Sequence, residues 1–96
     1  MFQKLAEIEN KFSDLERQLS DPAIVQNQPL YQKLSKERSG LTPLIETYRK
    51  YNRILQQLEE NKNLLEENDE EIRKMVKEEI TLLEKGKLQA EQELKL

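Results

Sequence analysis

The sequence contains no cysteine and no histidine, and only two of its 96 residues are glycine. The chain therefore has no thiolate nucleophile, no disulfide and none of the Cys/His sets that hold zinc. So low a glycine content also argues against a β-rich fold. We predict an all-α protein that holds no metal and no cofactor.

Long apolar runs are missing as well. The N-terminal segment MFQKLAEIEN is charged from its fourth residue, so it does not read as a signal peptide. No apolar run approaches the ~20 residues that a membrane-spanning helix needs. Charged residues make up 36% of the chain, which is typical of a soluble protein. We expect a cytoplasmic protein with no membrane partner, forming one small domain over residues 1–96 that is too small for a deep catalytic cavity.

The chain is rich in helical periodicity, with apolar residues that recur every three or four positions. We predict helices over about 2–19, 30–66 and 69–95, separated near the N-terminus by a turn at 20–29. The first stripe is Leu5, Ile8, Phe12, Leu15 and Leu19. The second is Leu30, Leu34, Leu41, Leu44, Tyr48, Tyr51, Leu55 and Leu58, widened by Ile45 and Ile54. The third is Ile72, Met75, Val76, Ile80, Leu83, Ala90 and Leu94.

Prolines and capping residues mark the helix boundaries. In LSDPAIVQNQPL, Ser20 is the predicted N-cap of a short helical turn, and Pro29 lies near the start of the next helix. Asn68 or Asp69 is expected to cap the last helix. In SGLTPL, Pro43 removes one backbone donor, but the apolar register continues, so we favour a kinked continuous helix. The result is an elongated antiparallel three-helix bundle from which the two longer helices protrude as a coiled-coil-like hairpin.

Charge is unevenly distributed along the chain. Residues 29–58 hold six basic and two acidic residues, a balance of +4, whereas residues 59–71 hold seven acids and one lysine, a balance of −6. The six basic residues scatter around the helix, and the net charge of the whole chain is −3. We therefore expect no autonomous nucleic-acid binding. A contact with a larger ribonucleoprotein would use exposed basic residues of the second helix, namely Lys36, Arg49, Lys50 and Arg53.

No pattern in the chain predicts catalysis. The carboxylates of EENDEEIR are interpreted as a solvated helix start, and no phosphate loop, nucleophile elbow or triad is present. Tyr48 and Tyr51 lie on the apolar stripe, which favours core packing over base stacking. Tyr31 flanks that stripe and fits either role. We therefore predict that this chain is not an enzyme.

Several segments taken in order resemble the N-terminal helical domain of bacterial class I peptide chain release factors. These segments are MFQKL, LSDP, YQKLSKE and DEEIRKMVKEEITLLE followed by LQAEQELKL. The likeness is greatest to the type that reads UAA and UAG, and it covers essentially the whole chain. Val76, Gly86 and Asn63 depart from the family pattern, and the family's continuation LLLPKDP does not occur before Leu96.

The resemblance implies that this domain has a non-catalytic role. Such factors recognise a stop codon and trigger hydrolysis of the peptidyl-tRNA ester, but the residues for both acts, including a Gly-Gly-Gln loop, lie in other domains of the family. The N-terminal domain projects toward the GTPase-associated region of the large ribosomal subunit. The implied function is thus a ribosome-contacting, non-catalytic positioning module in translation termination.

Two other readings of the residues stay open. The chain could be a stand-alone helical coiled-coil adaptor or scaffold whose leucine stripes pair with another chain. It could also be a tRNA-contacting helical arm of a synthetase, which would call for a more basic and better aligned stripe than this one.

Overall fold

The computed structural model describes residues 2–95, and the side chains of residues 3–95. Within that range the chain forms four helices and no strand, which confirms the all-α prediction. They are α1 (Phe2–Leu19), α2 (Pro22–Val25), α3 (Gln28–Leu64) and α4 (Glu70–Leu94). None of the helices in the described part combines the length and the apolar character needed to cross a membrane.

The chain divides into two compact units, residues 1–46 and residues 47–96. The first unit holds α1, α2 and the beginning of α3, and the second holds the rest of α3 and α4. The single domain and the elongated shape expected for the whole chain stay predictions.

The turn between α1 and α3 is built by side-chain caps. Asp21 caps α2, because its carboxylate accepts a hydrogen bond from the Ala23 backbone N–H at 2.9 Å. The predicted cap at Ser20 was wrong by one residue, since Pro22 takes the first helical position and the cap must directly precede it. The Ser20 hydroxyl donates instead to the Glu16 carbonyl, at the end of α1. The chain reversal thus rests on Asp21 and Pro22.

The starts and ends of the long helices differ little from expectation. α3 begins two residues before the predicted position, after Asn27, whose side-chain oxygen accepts from the Leu30 N–H at 3.4 Å. It ends at Leu64, two residues early. Asp69 caps α4 through the N–H groups of Glu71 (2.9 Å) and Ile72 (3.5 Å). Two acids in the first turn of α4 oppose the positive end of its dipole.

Helix α3 runs without interruption through Pro43, as the continuing apolar register indicated. Proline has no N–H for the Ser39 carbonyl, so one helical hydrogen bond is missing there. One residue earlier, the Thr42 hydroxyl donates to the Arg38 carbonyl at 2.9 Å. The other bonds of the ladder and the packing of the helix offset the loss.

The core of the first unit lies between α1 and the beginning of α3. Ile45 is its least exposed residue at 1%, although the sequence pattern placed it beside the main stripe. Leu30, which the pattern placed on the stripe, is exposed. The buried face of α3 is therefore rotated toward the side that Ile45 occupies. The buried residues of this unit are Leu5, Phe12, Leu15, Leu34 and Ile45.

The second unit is an antiparallel helical hairpin. Tyr51 of α3 contacts Glu91 of α4, and Ile54 contacts the position of Gly86, so residue numbers rise on one helix as they fall on the other. The prediction that Met75 lies on the seam was wrong, since its side chain is 69% exposed. The buried residues of the hairpin are Tyr51, Ile54, Leu58, Val76, Ala90 and Leu94.

Truncation of Phe12 tests whether the core of the first unit is packed as described. The Phe12 side chain is 2% exposed, so Phe12→Ala should lower the free energy of unfolding by about 3 kcal/mol or more through lost burial and the cavity that remains. Urea denaturation followed by circular dichroism measures the change. The control Val25→Ala removes a side chain that is 43% exposed and should change stability by less than about 0.5 kcal/mol. A Phe12→Ala variant as stable as Val25→Ala would contradict this description of the core.

Gly40 and Gly86 both lie within helices but differ in the space around them, so the same substitution to alanine should affect stability differently at the two positions. A Cβ at Gly40 would meet nothing within 4 Å, so Gly40→Ala should stabilise the protein by about 0.5–1 kcal/mol through helix propensity. At Gly86 the same atom would lie 3.3 Å from Ile54 Cδ1, a tight contact in the hairpin. Gly86→Ala should therefore gain clearly less stability, or lose some. Equal gains in the two thermal unfolding midpoints would show that the helices are not closely packed at Gly86.

Candidate functional site

The candidate contact residues predicted from charge are all exposed and all lie on α3. Lys36 belongs to the first unit, whereas Arg49, Lys50 and Arg53 belong to the second. None of them contributes to a buried core. They are available to a partner, which the prediction requires.

The three basic residues of the second unit lie close together on the helix. Arg49 and Arg53 are four positions apart, and Lys50 and Arg53 are three apart, so all three occupy successive turns of one polar side. The buried side of the same helical segment carries Tyr51 and Ile54 and faces α4. The three charges therefore form one exposed basic cluster, which we call the α3 basic cluster (Arg49, Lys50 and Arg53).

Lys36 has a basic neighbour of its own. Lys33, three positions earlier, lies on an adjacent turn of α3 and is also exposed. Glu37 directly follows Lys36 and reduces the local charge. The first unit thus offers a smaller basic surface, a pair rather than a cluster.

Arg38, another of the six basic residues of residues 29–58, has a structural role. Its guanidinium Nη2 lies 3.2 Å from Glu16 Oε2, and its Cζ lies 5.1 Å from the centroid of the Phe12 ring. Both partners are on α1, so Arg38 ties α1 to α3 within the first unit. Both charged side chains are about two-fifths exposed, so the ion pair by itself adds little stability. Arg38 is therefore not a free cation of the contact surface.

The residues of the first unit also enclose a shallow, solvent-open cleft of about 370 Å³ between α1 and α3. Glu16 and Arg38 line it together with Ser35 and Tyr31. Tyr31 is half-buried there. Among the described residues, no group of three or more carboxylate, imidazole or thiolate side chains is placed to hold a metal ion.

The family model described as the PCRF domain matches residues 8–96, nearly the whole sequence. The chain belongs to the PCRF domain family. Several curated relatives share the likeness over 100% of this chain. Peptide chain release factor 1 of Pelobacter propionicus is 42% identical over 96 residues, and that of Caldicellulosiruptor saccharolyticus is 44% identical over 97. The protein of the same name from Geobacter sulfurreducens is 43% identical over 96 residues.

The coverage of those relatives is partial. The chain spans 27%, 27% and 26% of their lengths respectively, about a quarter of each. No solved structure matches the chain significantly. The similarity therefore concerns this helical domain and does not extend to the remaining three quarters of the relatives' sequences.

The pKa of Tyr51, in the second unit of the PCRF domain, is shifted from its ordinary value. The Tyr51 hydroxyl donates a hydrogen bond to Glu91 Oε2 at 3.2 Å, and the side chain is 7% exposed. Burial, followed by the hydrogen bond to the Glu91 carboxylate and its negative charge, raises the pKa of Tyr51 above 10.0. A phenol that is harder to ionise is no general base near neutral pH, so we assign this pair a structural role in the hairpin.

Sequence reasoning missed both cross-helix pairs. Glu16 and Arg38 are 22 positions apart, and Tyr51 and Glu91 are 40 apart. A heptad pattern says which face a residue occupies but not how far one helix slides along the next. One clue was available, since an acid such as Glu91 at the edge of an apolar stripe calls for a donor on the partner helix.

Tyr51 gives a prediction with a defined pH dependence. Tyr51→Phe should lower the free energy of unfolding near pH 7 by about 1 kcal/mol, because Glu91 loses its donor. The raised pKa means that the folded state favours the protonated phenol. Its contribution is therefore fully present below about pH 10, the unfolded value, and is lost as the pH rises through the folded value. The difference between the native protein and Tyr51→Phe should shrink above about pH 10.

Denaturation series at several pH values measure that difference. Tyr48→Phe is the control, since no hydrogen bond of the Tyr48 hydroxyl to a described residue is present and its loss should cost less than about 0.5 kcal/mol. A difference for Tyr51→Phe that stays constant to pH 11 would contradict the proposed contact with Glu91.

Proposed function

We propose that this PCRF domain is the N-terminal helical domain of a peptide chain release factor that directs translation termination at UAA and UAG codons. The observation that carries the proposal is 42–44% identity over the whole chain to proteins named Peptide chain release factor 1. The match to the PCRF domain model over residues 8–96 supports it. Ribosomes are the site of that reaction, so the proposal includes a cytoplasmic location.

Within such a factor, the domain is proposed to be a non-catalytic positioning module. Its sequence lacks histidine and cysteine. Its acids between residues 59 and 71 are all exposed to solvent. Codon reading and ester hydrolysis are assigned to other parts of the factor.

The partner of the module is proposed to be the ribosome, at the GTPase-associated region of the large subunit. Ribosomal RNA presents a dense array of phosphates, and exposed lysine and arginine side chains are the groups that bind them. Lys36 and the α3 basic cluster are the candidates, because they are exposed and lie on a helix that a core holds in place. The net charge of −3 makes the contact local and dependent on the rest of the complex.

A stand-alone helical adaptor is the alternative. The observation that favours it is the exposure of large apolar residues on α4, where Met75 is 69% and Leu82 is 64% exposed. The native gene separates the two proposals. Codons for a Gly-Gly-Gln segment downstream of Leu96 support the release factor, whereas a stop codon directly after Leu96 supports the adaptor.

Charge reversal tests the contact surface in the full-length protein of that gene. The variant Lys36→Glu/Arg49→Glu/Lys50→Glu/Arg53→Glu should weaken association with ribosomes by about tenfold or more, because four cations become anions. Sedimentation of the factor with ribosomes programmed with a UAA codon measures the affinity. The salt dependence of binding should become shallower, since fewer counterions are released.

The control is a reversal of four exposed lysines, three on α4 and one at its C-cap, Lys74→Glu/Lys77→Glu/Lys85→Glu/Lys95→Glu, which changes the net charge by the same amount. It should affect ribosome binding much less. Equal losses for the two variants would mean that only overall charge matters. Unchanged binding by the α3 variant would overturn the proposed contact residues.

A further inference from the structure

Among the described residues of α4, four large apolar side chains are exposed, namely Ile72, Met75, Leu82 and Leu88, and Met75 and Leu82 are the two most exposed. Met75 is 69% exposed and Leu82 is 64% exposed. They are seven residues apart, so they lie almost directly in line, about 10 Å from each other along the helix. The buried residues of the same helix, such as Val76 and Ala90, lie on the side that faces α3. Met75 and Leu82 thus form a second apolar line, which we call the α4 stripe.

Acidic residues surround the α4 stripe at helical spacing. Glu71 lies four positions before Met75, and Glu78 and Glu79 lie three and four positions after it, between Met75 and Leu82. All three acids are exposed. Within the described side chains, no hydrogen bond or ion pair engages their carboxylates. The three acids form an acidic rim of the stripe, and the basic residues beside it are Lys74, which neighbours Glu71 and Glu78, and Lys85 beyond Leu82.

Leu88 shows what an isolated exposed apolar residue looks like on the same helix. Its exposed fraction is 61%, similar to that of Leu82. The residues one heptad before and after it are Thr81 and Lys95, so no second apolar side chain lies in line with it at that spacing. Its neighbour Glu91 is already bonded to Tyr51. Single exposed leucines are normal on soluble proteins. Leu88 belongs to that class, whereas Met75 and Leu82 form an ordered pair.

We propose that the α4 stripe is a docking surface for a basic amphipathic helix of a partner protein. Two apolar side chains one heptad apart on that helix would pack on Met75 and Leu82, and flanking lysines or arginines would pair with Glu71, Glu78 and Glu79. Methionine suits such a surface because its unbranched side chain adapts to different partners. This surface is separate from the α3 basic cluster and does not depend on a ribosomal role.

The charges around the α4 stripe favour a basic helix over nucleic acid and over a second copy of the chain. Nucleic acid would place phosphates against the acidic rim, which is repulsive. A second copy of the chain would place the same rim against itself, and Glu78 and Glu79 would meet their own counterparts at the centre of the contact. A helix of opposite charge meets neither obstacle. Charge complementarity thus points to a basic partner segment.

A synthetic peptide tests the proposal on the 96-residue chain. The probe is a helical peptide of about 20 residues with leucines one heptad apart flanked by lysines, long enough to be helical by itself. Labelling the methionine methyl groups with carbon-13 gives only two signals, from Met1 and Met75. The Met75 signal should shift on binding, and the affinity should fall as salt is added. A peptide of the same composition with its leucines on opposite faces should not bind.

Three variants separate docking from general charge attraction. Met75→Gln/Leu82→Gln should weaken peptide binding about tenfold or more, because both apolar anchors are lost. Glu78→Gln/Glu79→Gln should weaken it several-fold and reduce its salt dependence. Leu88→Gln, which removes an equally exposed leucine outside the stripe, should leave binding unchanged. Circular dichroism confirms that each variant is folded, as expected for exposed positions.

The other outcomes would overturn the proposal. Absence of binding, equal binding of the rearranged peptide, or an equal loss for Leu88→Gln would mean that the stripe recognises nothing specific. Self-association in sedimentation that Leu82→Gln abolishes would assign the stripe to a second copy. A Met75 methyl group protected in the free chain would mean that the stripe is already covered.

Discussion

Burial of one face of α3 is the constraint on which the rest of the structure depends. Single helices of this kind are marginal in water, so each needs a partner surface. α3 supplies that surface to α1 in the first unit and to α4 in the second. In the first unit, α3 stays helical through Pro43, although proline leaves one backbone hydrogen bond missing there. Its buried residues are Leu34, Ile45, Tyr51, Ile54 and Leu58.

The helices could be predicted from the sequence because their signals are local. Steps of three and four mark α1, and proline and aspartate mark the boundaries at Pro22 and Asp69. The error in the predicted apolar stripe of α4 concerned two neighbouring residues. Met75 and Val76 both fit a broad apolar stripe, but neighbouring residues differ by about 100° around a helix, so one had to face solvent. Only the position of the partner helix decides between them.

The candidate site could be predicted only in part, because its signals in the sequence are local and its contacts between helices are not. Exposure of Lys36 and the α3 basic cluster follows from their places off the apolar stripe. That Arg38 is engaged with Glu16 and Phe12 does not follow from spacing, because the partners belong to another helix. Composition alone counts six cations, whereas the structure shows that Arg38 is engaged by residues of α1. The contact surface is therefore smaller than the local charge of +4 implies.

The two surfaces of the second unit are chemically opposite, and this bears on the proposed positioning role. The α3 basic cluster attracts anions, and the acidic rim of the α4 stripe repels them. A partner rich in phosphate is thus directed to one helix, and a basic protein segment to the other. The hairpin is held by buried contacts such as Ile54 against Gly86, and the charged residues of the two surfaces lie on the exposed sides of the two helices. With both proposed contacts, the domain would hold two partners of opposite charge at separate surfaces of the hairpin, which is a positioning function that needs no chemistry.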